Sequence, residues 1–225
     1  MSEKCEIKIC GITRECDVEL VCASGADYIG LLIDMPSART LDLEKAAGFA
    51  SKATIPVILL FMNAEIEKVV AAVERINPFG VQITGEEPPE YIAELRPKIK
   101  CSIWKGVHLP AEGTSPWSIE EYEQKIKRFC DAGADRILLD TSFTAGDKKV
   151  MGGTGKTYDW KKAAALAAKI DRPVVMAGGL NPSNVVEAIR TVRPCAVDLA
   201  SGVESQKGIK DPSKVTDFVK KVRQL

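Results

Sequence analysis

Two side chains in this sequence stand where reactive groups are commonly held in a chain of alternating strands and helices. Cys10 closes the apolar run Ile7–Cys10 and is followed by Gly11, which leaves its sulfur little steric cover. The thiolate is the reactive form of cysteine, and Lys8, two residues earlier, would favour it. Asp140 closes a second run, Arg136-Ile137-Leu138-Leu139-Asp140. A carboxylate ending an apolar strand is costly to bury unless it is paired or used, and burial raises its pKa toward the range of a general acid. Both residues have a plain structural alternative. Free cysteine is among the most buried residue types, and an aspartate at a strand end can simply cap backbone amides. The only histidine, His108, stands beside a long loop and reads as incidental.

A second set of residues suits an anion. Gly178-Gly179 and Ser201-Gly202 each follow an apolar run. Glycine lets a ligand approach the backbone closely, and a following helix N-terminus presents free amides, although the same glycines would serve a tight turn equally well. The run Gly152-Gly153-Thr154-Gly155-Lys156-Thr157 invites a nucleotide reading. It fails both phosphate-loop patterns, because Val150 and Tyr158 stand where each requires glycine. It reads instead as a loop entering a helix, with the amides of Gly153 and Gly155 open to a ligand. Arg39, in Pro36-Ser37-Ala38-Arg39-Thr40, offers a planar fork suited to a carboxylate, or is a solvated loop arginine. Gln82 and Thr84 end a further run and supply polar contacts or a turn.

The elements that position these residues alternate along the whole chain. Strand candidates are Ile7–Cys10, Tyr28–Leu32, Val57–Phe61, Gly80–Ile83, Cys101–Val107, Arg136–Leu139, Pro173–Met176 and Ala196–Leu199. Most are continuous apolar runs, as expected of strands covered on both faces. Helical patterns separate them, and the last ends near Val222. Asn181-Pro182 reads as a helix N-cap followed by a first-turn proline, and Gly25 and Gly133 stand just past helix ends. Gly25-Ala26-Asp27 and Gly133-Ala134-Asp135 occupy the same place in two units and hint at a repeated module.

Eight strands alternating with eight helices over residues 1–225 predict a single (β/α)8 TIM barrel with parallel strands, with no linker to mark a second domain. In that fold the strand ends bring Cys10, Asp34, Asn63, Gln82, Lys105, Asp140 and both glycine pairs around one mouth. The two longest connections, His108–Ser118 and Thr141–Tyr158, read as mobile covers.

Composition excludes several function classes. The chain carries 31 Lys plus Arg against 31 Asp plus Glu, which argues against a nucleic-acid partner, since phosphate-binding surfaces need a basic excess. No apolar run is long enough for a membrane span, and the N-terminus lacks a signal pattern. Seven cysteines without a C-x-x-C pair point to a reduced, cytoplasmic protein without a metal site.

Taken together, KICGIT (8–13), SGADYIGL (24–31), VQITGEEP (81–88), LLDT (138–141), GGTGKTYDW (152–160), GGLNPSNV (178–185) and AVDLASGVE (196–204) resemble the phosphoribosylanthranilate isomerases of tryptophan biosynthesis. The resemblance implies an Amadori rearrangement of N-(5-phosphoribosyl)anthranilate. It implies Cys10 as general base, Asp140 as general acid and Arg39 as the carboxylate-binding residue. The phosphate would lie on the amides of Gly178, Gly179, Ser201 and Gly202, joined by Gly153 and Gly155. It implies no cofactor and no partner beyond a small phosphosugar, in a monomer or homodimer. The sequence departs from the family pattern at Thr84, where the motif carries histidine, at Ala38, and in the length of the segment after Asp140. A related barrel acting on another sugar phosphate, or a non-catalytic phosphosugar-binding barrel, are the alternatives.

Overall fold

A computed structural model describes residues 4–145, 148–151 and 156–225. The strands are β1 (Glu6–Cys10), β2 (Tyr28–Ile33), β3 (Thr40–Leu41), β4 (Val57–Phe61), β5 (Gly80–Ile83), β6 (Ser102–Pro110), β7 (Arg136–Ala145), β8 (Lys148–Met151), β9 (Val174–Met176), β10 (Ala196–Leu199), β11 (Glu204–Gln206) and β12 (Ile209–Lys210). The helices are α1 (Glu15–Ala23), α2 (Leu43–Lys52), α3 (Ile66–Ile76), α4 (Pro89–Leu95), α5 (Ile119–Asp131), α6 (Trp160–Ala167), α7 (Val185–Val192) and α8 (Pro212–Arg223). Parallel pairing runs β1-β2-β4-β5-β6-β7-β9-β10 and closes back onto β1, so the expected eight-stranded barrel forms. Two-residue β3 extends β2, β8 folds back antiparallel on β7, and β11 and β12 form a separate hairpin.

Strand side chains alternate between faces, and here each face is a core. Ile7 and Ile9 of β1 join the layer between barrel and helices, whereas Cys10 joins Leu32, Leu60, Leu138, Val175 and Ala177 inside the barrel. Trp104 is fully buried at the closed end, with the Tyr28 ring edge-on at 5.3 Å and the Arg136 guanidinium 5.0 Å from its centre.

The two Gly-Ala-Asp turns prove to be structural repeats. Gly25 and Gly133 both adopt positive φ, at 89° and 107°, a conformation glycine reaches without strain. The carboxylates of Asp27 and Asp135 then accept the amides of Ile7 and Ile103, at 2.7 and 2.8 Å, tying each turn to the strand before its helix.

Two expectations change. Asn181-Pro182 does not start a helix: α7 begins at Val185, and the Asn181 side chain instead accepts the Ser183 amide at 2.8 Å, closing a turn. The segments after Val107 and Leu139 begin as ladder, not as loose covers. β6 continues to Pro110 and β7 to Ala145, with His108, Leu109 and Pro110 paired to Asp140, Thr141 and Ser142. No helix among the described residues is long and apolar enough to cross a membrane.

Candidate active site

Where the strands end, a cavity of about 290 Å³ opens along the barrel axis. Cys10, Arg39, Asp140, Gly178, Gly179 and Ser201 all line it, so most of the residues read from sequence meet at one place. Gly202, next to Ser201 in the turn Ser201–Val203, is not among the lining residues. Gly153 and Gly155 lie outside the described residues. A larger cavity of about 370 Å³ lies outside the barrel, between the β5–α4 connection and α5. It contains neither Cys10 nor Asp140 and shares His108 with the axial cavity.

Parity along β1 turns both Lys8 and Cys10 inward. The Lys8 ammonium donates to Gln82 Oε1 and to Asp198 Oδ2, each at 2.9 Å, with its side chain fully buried. Burial disfavours the Lys8 charge, yet Asp198 outweighs it and leaves the group raised. Among the described residues, Asp198 Oδ1 is buried without a hydrogen-bond partner and belongs to a residue of the cavity wall, which leaves a carboxylate oxygen suited to a ligand hydroxyl.

Burial pushes the Cys10 thiol up to about 11, against the opposing pull of Lys8. Lys8 does favour the thiolate, as expected, but desolvation outweighs it. Asp140 moves in the direction expected of a general acid, to about 7, again chiefly through burial. The capping alternative also holds, since Asp140 Oδ1 accepts the Thr141 amide at 2.7 Å. That bond opposes the rise without cancelling it.

Arg39 is buried rather than solvated. Its Nε and Nη2 both donate to Glu204, each at 2.7 Å. Glu204 also accepts Lys210 Nζ at 3.0 Å, and Lys210 donates to the carbonyls of Cys10 and Ala200 at 2.7 and 3.1 Å. This cluster locks the ends of β1 and β10 together. The guanidinium fork is thus held by a protein carboxylate through Nε and Nη2, and among the described residues Nη1 makes no hydrogen bond.

The glycine pairs are shaped for close approach. Gly178 and Gly179 have φ of 84° and 66°, and a Cβ on Gly179 would lie 2.6 Å from the Lys156 carbonyl oxygen. Asn184 and Asn181 donate their amides to the Gly179 carbonyl at 3.0 and 3.3 Å, fixing the turn. A Cβ on Gly202 would collide with the Leu180 carbonyl oxygen.

Not every strand-end residue reaches the site. Lys105 lies on the opposite face of β6, bonded to Glu87 and the Gly85 carbonyl at 2.8 Å each. Asn63 accepts the Glu86 amide, and Asp34 is exposed; neither lines the cavity. Conversely, His108 is a wall residue, because the longer β6 carries it inward beside Asp140. Asp198 was also missed. Its signal was a charge inside the buried run Ala196–Leu199, matching Lys8 inside Ile7–Cys10, since opposite charges in buried strands must find each other.

Residues 7–221 match the sequence model of the N-(5'-phosphoribosyl)anthranilate isomerases. The chain belongs to this family. A relative named N-(5'-phosphoribosyl)anthranilate isomerase, from Acinetobacter calcoaceticus, is 35% identical over 218 residues, covering 96% of this chain and 95% of its own. The solved phosphoribosylanthranilate isomerase of Thermotoga maritima superposes with a TM-score of 0.81 at 32% identity, covering 98% of this chain and all of that one. A solved phosphoribosyl anthranilate isomerase in complex with reduced 1-(o-carboxyphenylamino)-1-deoxyribulose 5-phosphate superposes with a TM-score of 0.79 at 29% identity, covering 98% of this chain and all of that one.

Proposed function

We infer that this chain isomerises N-(5'-phosphoribosyl)anthranilate to 1-(2-carboxyphenylamino)-1-deoxyribulose 5-phosphate, a step of tryptophan biosynthesis. The observation that carries the assignment of roles is the convergence of Cys10 and Asp140, from strands separated by β9 and β10, on one cavity beside glycine-bearing turns.

Asp140, protonated up to about neutral pH, donates its proton to the furanose ring oxygen. The bond from that oxygen to C1 breaks as the anilino nitrogen lone pair forms an iminium. Cys10 then removes the proton on C2, and the electrons of that bond neutralise the iminium and leave an enolamine, which tautomerises to the ketone. The thiolate that this step needs is disfavoured in the empty cavity and favoured once a cation has formed there. Asp198 Oδ1 receives a sugar hydroxyl, with Lys8 holding the carboxylate in place. The amides of Gly178, Gly179, Ser201 and Gly202 hold the phosphate, and those of Gly153 and Gly155 add to it, as backbone amides do at such barrel turns. Arg39 Nη1 faces the substrate carboxylate.

The cavity wall described is built from one chain, which suits a monomer or a homodimer with a complete site in each subunit. Residues 1–225 form one barrel domain. None of the seven cysteines is bridged in a disulfide, in keeping with a reducing cytoplasm. Turnover is followed by the loss of anthranilate-adduct fluorescence, with substrate made in situ. Active wild type with full rate in both Cys10→Ser and Asp140→Asn would overturn the roles of base and acid.

A further inference from the structure

Two cations belong to the cavity wall, Arg39 and Lys207, and they are not equivalent. Among the described residues, three buried cations near the Cys10 end of the cavity are bonded to carboxylates: Lys8 to Asp198, and Arg39 and Lys210 both to Glu204. These bonds tie the strand ends together. Three cations share two carboxylates, so the inner set keeps one net positive charge, held in place by Glu204, for a substrate that brings both a carboxylate and a phosphate. Lys207 is the exception. Among the described residues it has no ion pair and no hydrogen bond, yet it lines the same cavity.

Its backbone is well placed. Lys207 and Gly208 form the two-residue turn between β11 and β12, and Gly208 has φ of 85°, the left-handed conformation that a tight turn takes with glycine. Gly208 is buried. The Thr13 hydroxyl donates to its carbonyl at 2.5 Å, and a Cβ on it would stand 3.7 Å from the carbonyl oxygen of Ala38. The turn is thus pinned between the first loop and the loop that carries Arg39. An exposed lysine on a fixed turn places a mobile charge beside a fixed one.

We propose that Lys207 is a substrate-binding residue, its ammonium and the Nη1 edge of Arg39 together holding the carboxylate of the anthranilate ring. The phosphate lies elsewhere, on the glycine turns after β9 and β10. The proposal rests on the isomerase reading and adds a second cation, bonded to no carboxylate among the described residues, at the ring end of the substrate.

Steady-state kinetics of wild type, Lys207→Gln, Lys207→Glu and Lys207→Arg test it, with anthranilate and inorganic phosphate as separate competitive probes. Losing a charge-assisted bond to the substrate should raise KM about tenfold in Lys207→Gln, and more in Lys207→Glu, with kcat within about twofold. Lys207→Arg should restore KM. Inhibition by anthranilate should weaken in Lys207→Gln while inhibition by phosphate stays as in wild type. An unchanged KM in all three variants, or weakened inhibition by phosphate alone, overturns the proposal. Wild type without turnover would instead remove the isomerase reading, and direct binding of anthranilate to wild type and Lys207→Gln would still judge Lys207.

Discussion

Gly30 and Cys10 are partners across β1 and β2, and a Cβ on Gly30 would lie 2.7 Å from the Cys10 sulfur. The missing side chain of Gly30 is the space that the thiol occupies. Gly30→Ala should push the sulfur off its position without touching the phosphate turns. The expected result is a kcat lower by about 100-fold, the scale of a misplacement of roughly 1 Å, with KM little changed. An unaltered kcat would remove Cys10 from the chemistry.

The pKa order of the two groups predicts an unusual pH profile. Catalysis needs Asp140 protonated and Cys10 ionised, yet burial sets Asp140 at about 7 and Cys10 at about 11. Below pH 7 the thiolate fraction limits, so kcat/KM should climb about tenfold per pH unit. Between the two values, the gain in thiolate cancels the loss of protonated Asp140, and the profile should be flat. A rate that falls steadily above pH 7 would mean that Cys10 is ionised at lower pH than its burial implies.

Asp140 also costs stability. Its folded pKa is raised above the unfolded value of 3.8, so folding is penalised once the pH passes the unfolded value, and the penalty is complete above about 7. Because the residue is partly accessible, Asp140→Asn should stabilise the fold by about 2 kcal/mol at pH 8, less than full burial would imply. The advantage should vanish near pH 4. Thermal melts at both pH values check this, and equal gains at both would exclude titration as the cause.

The buried cluster of Arg39, Lys210 and Glu204 behaves oppositely, because removing one partner strands the others. Glu204→Ala leaves two buried cations without a carboxylate and should destabilise by about 3 kcal/mol or more in urea titration. Glu204→Gln, which keeps an acceptor, should lose less. Equal losses would show that charge plays no part in the cluster.

His108 offers a direct readout, since the chain has one imidazole. Its proton resonances should shift when the reduced product analogue fills the cavity, and stay put with a ligand confined to the outer cavity wall around Arg128. No shift at saturation would place His108 away from the bound sugar.

Much of this site is legible in the order of residues alone. Cys10, Asp140 and the glycine turns are found by one local rule, that an apolar run of strand length stops at a residue of another kind, and the rule needs only neighbours in sequence. It fails where parity and ladder length decide. Lys105 and His108 both stand near the end of β6, but their positions differ by an odd number, so they face opposite sides. How far β6 runs depends on whether β7 continues beside it, which periodicity does not report.

By itself, the sequence determined the barrel, through eight apolar runs of strand length separated by helical patterns, and the residue types at the strand ends. Only the tertiary structure decided which charges meet. Lys8 and Asp198 are 190 residues apart, and Arg39 and Glu204 are 165 apart. The energy of a buried charge depends on what surrounds it in space, so the paired state of Arg39, the neutral thiol of Cys10 and the raised carboxyl of Asp140 exist only once the barrel has closed.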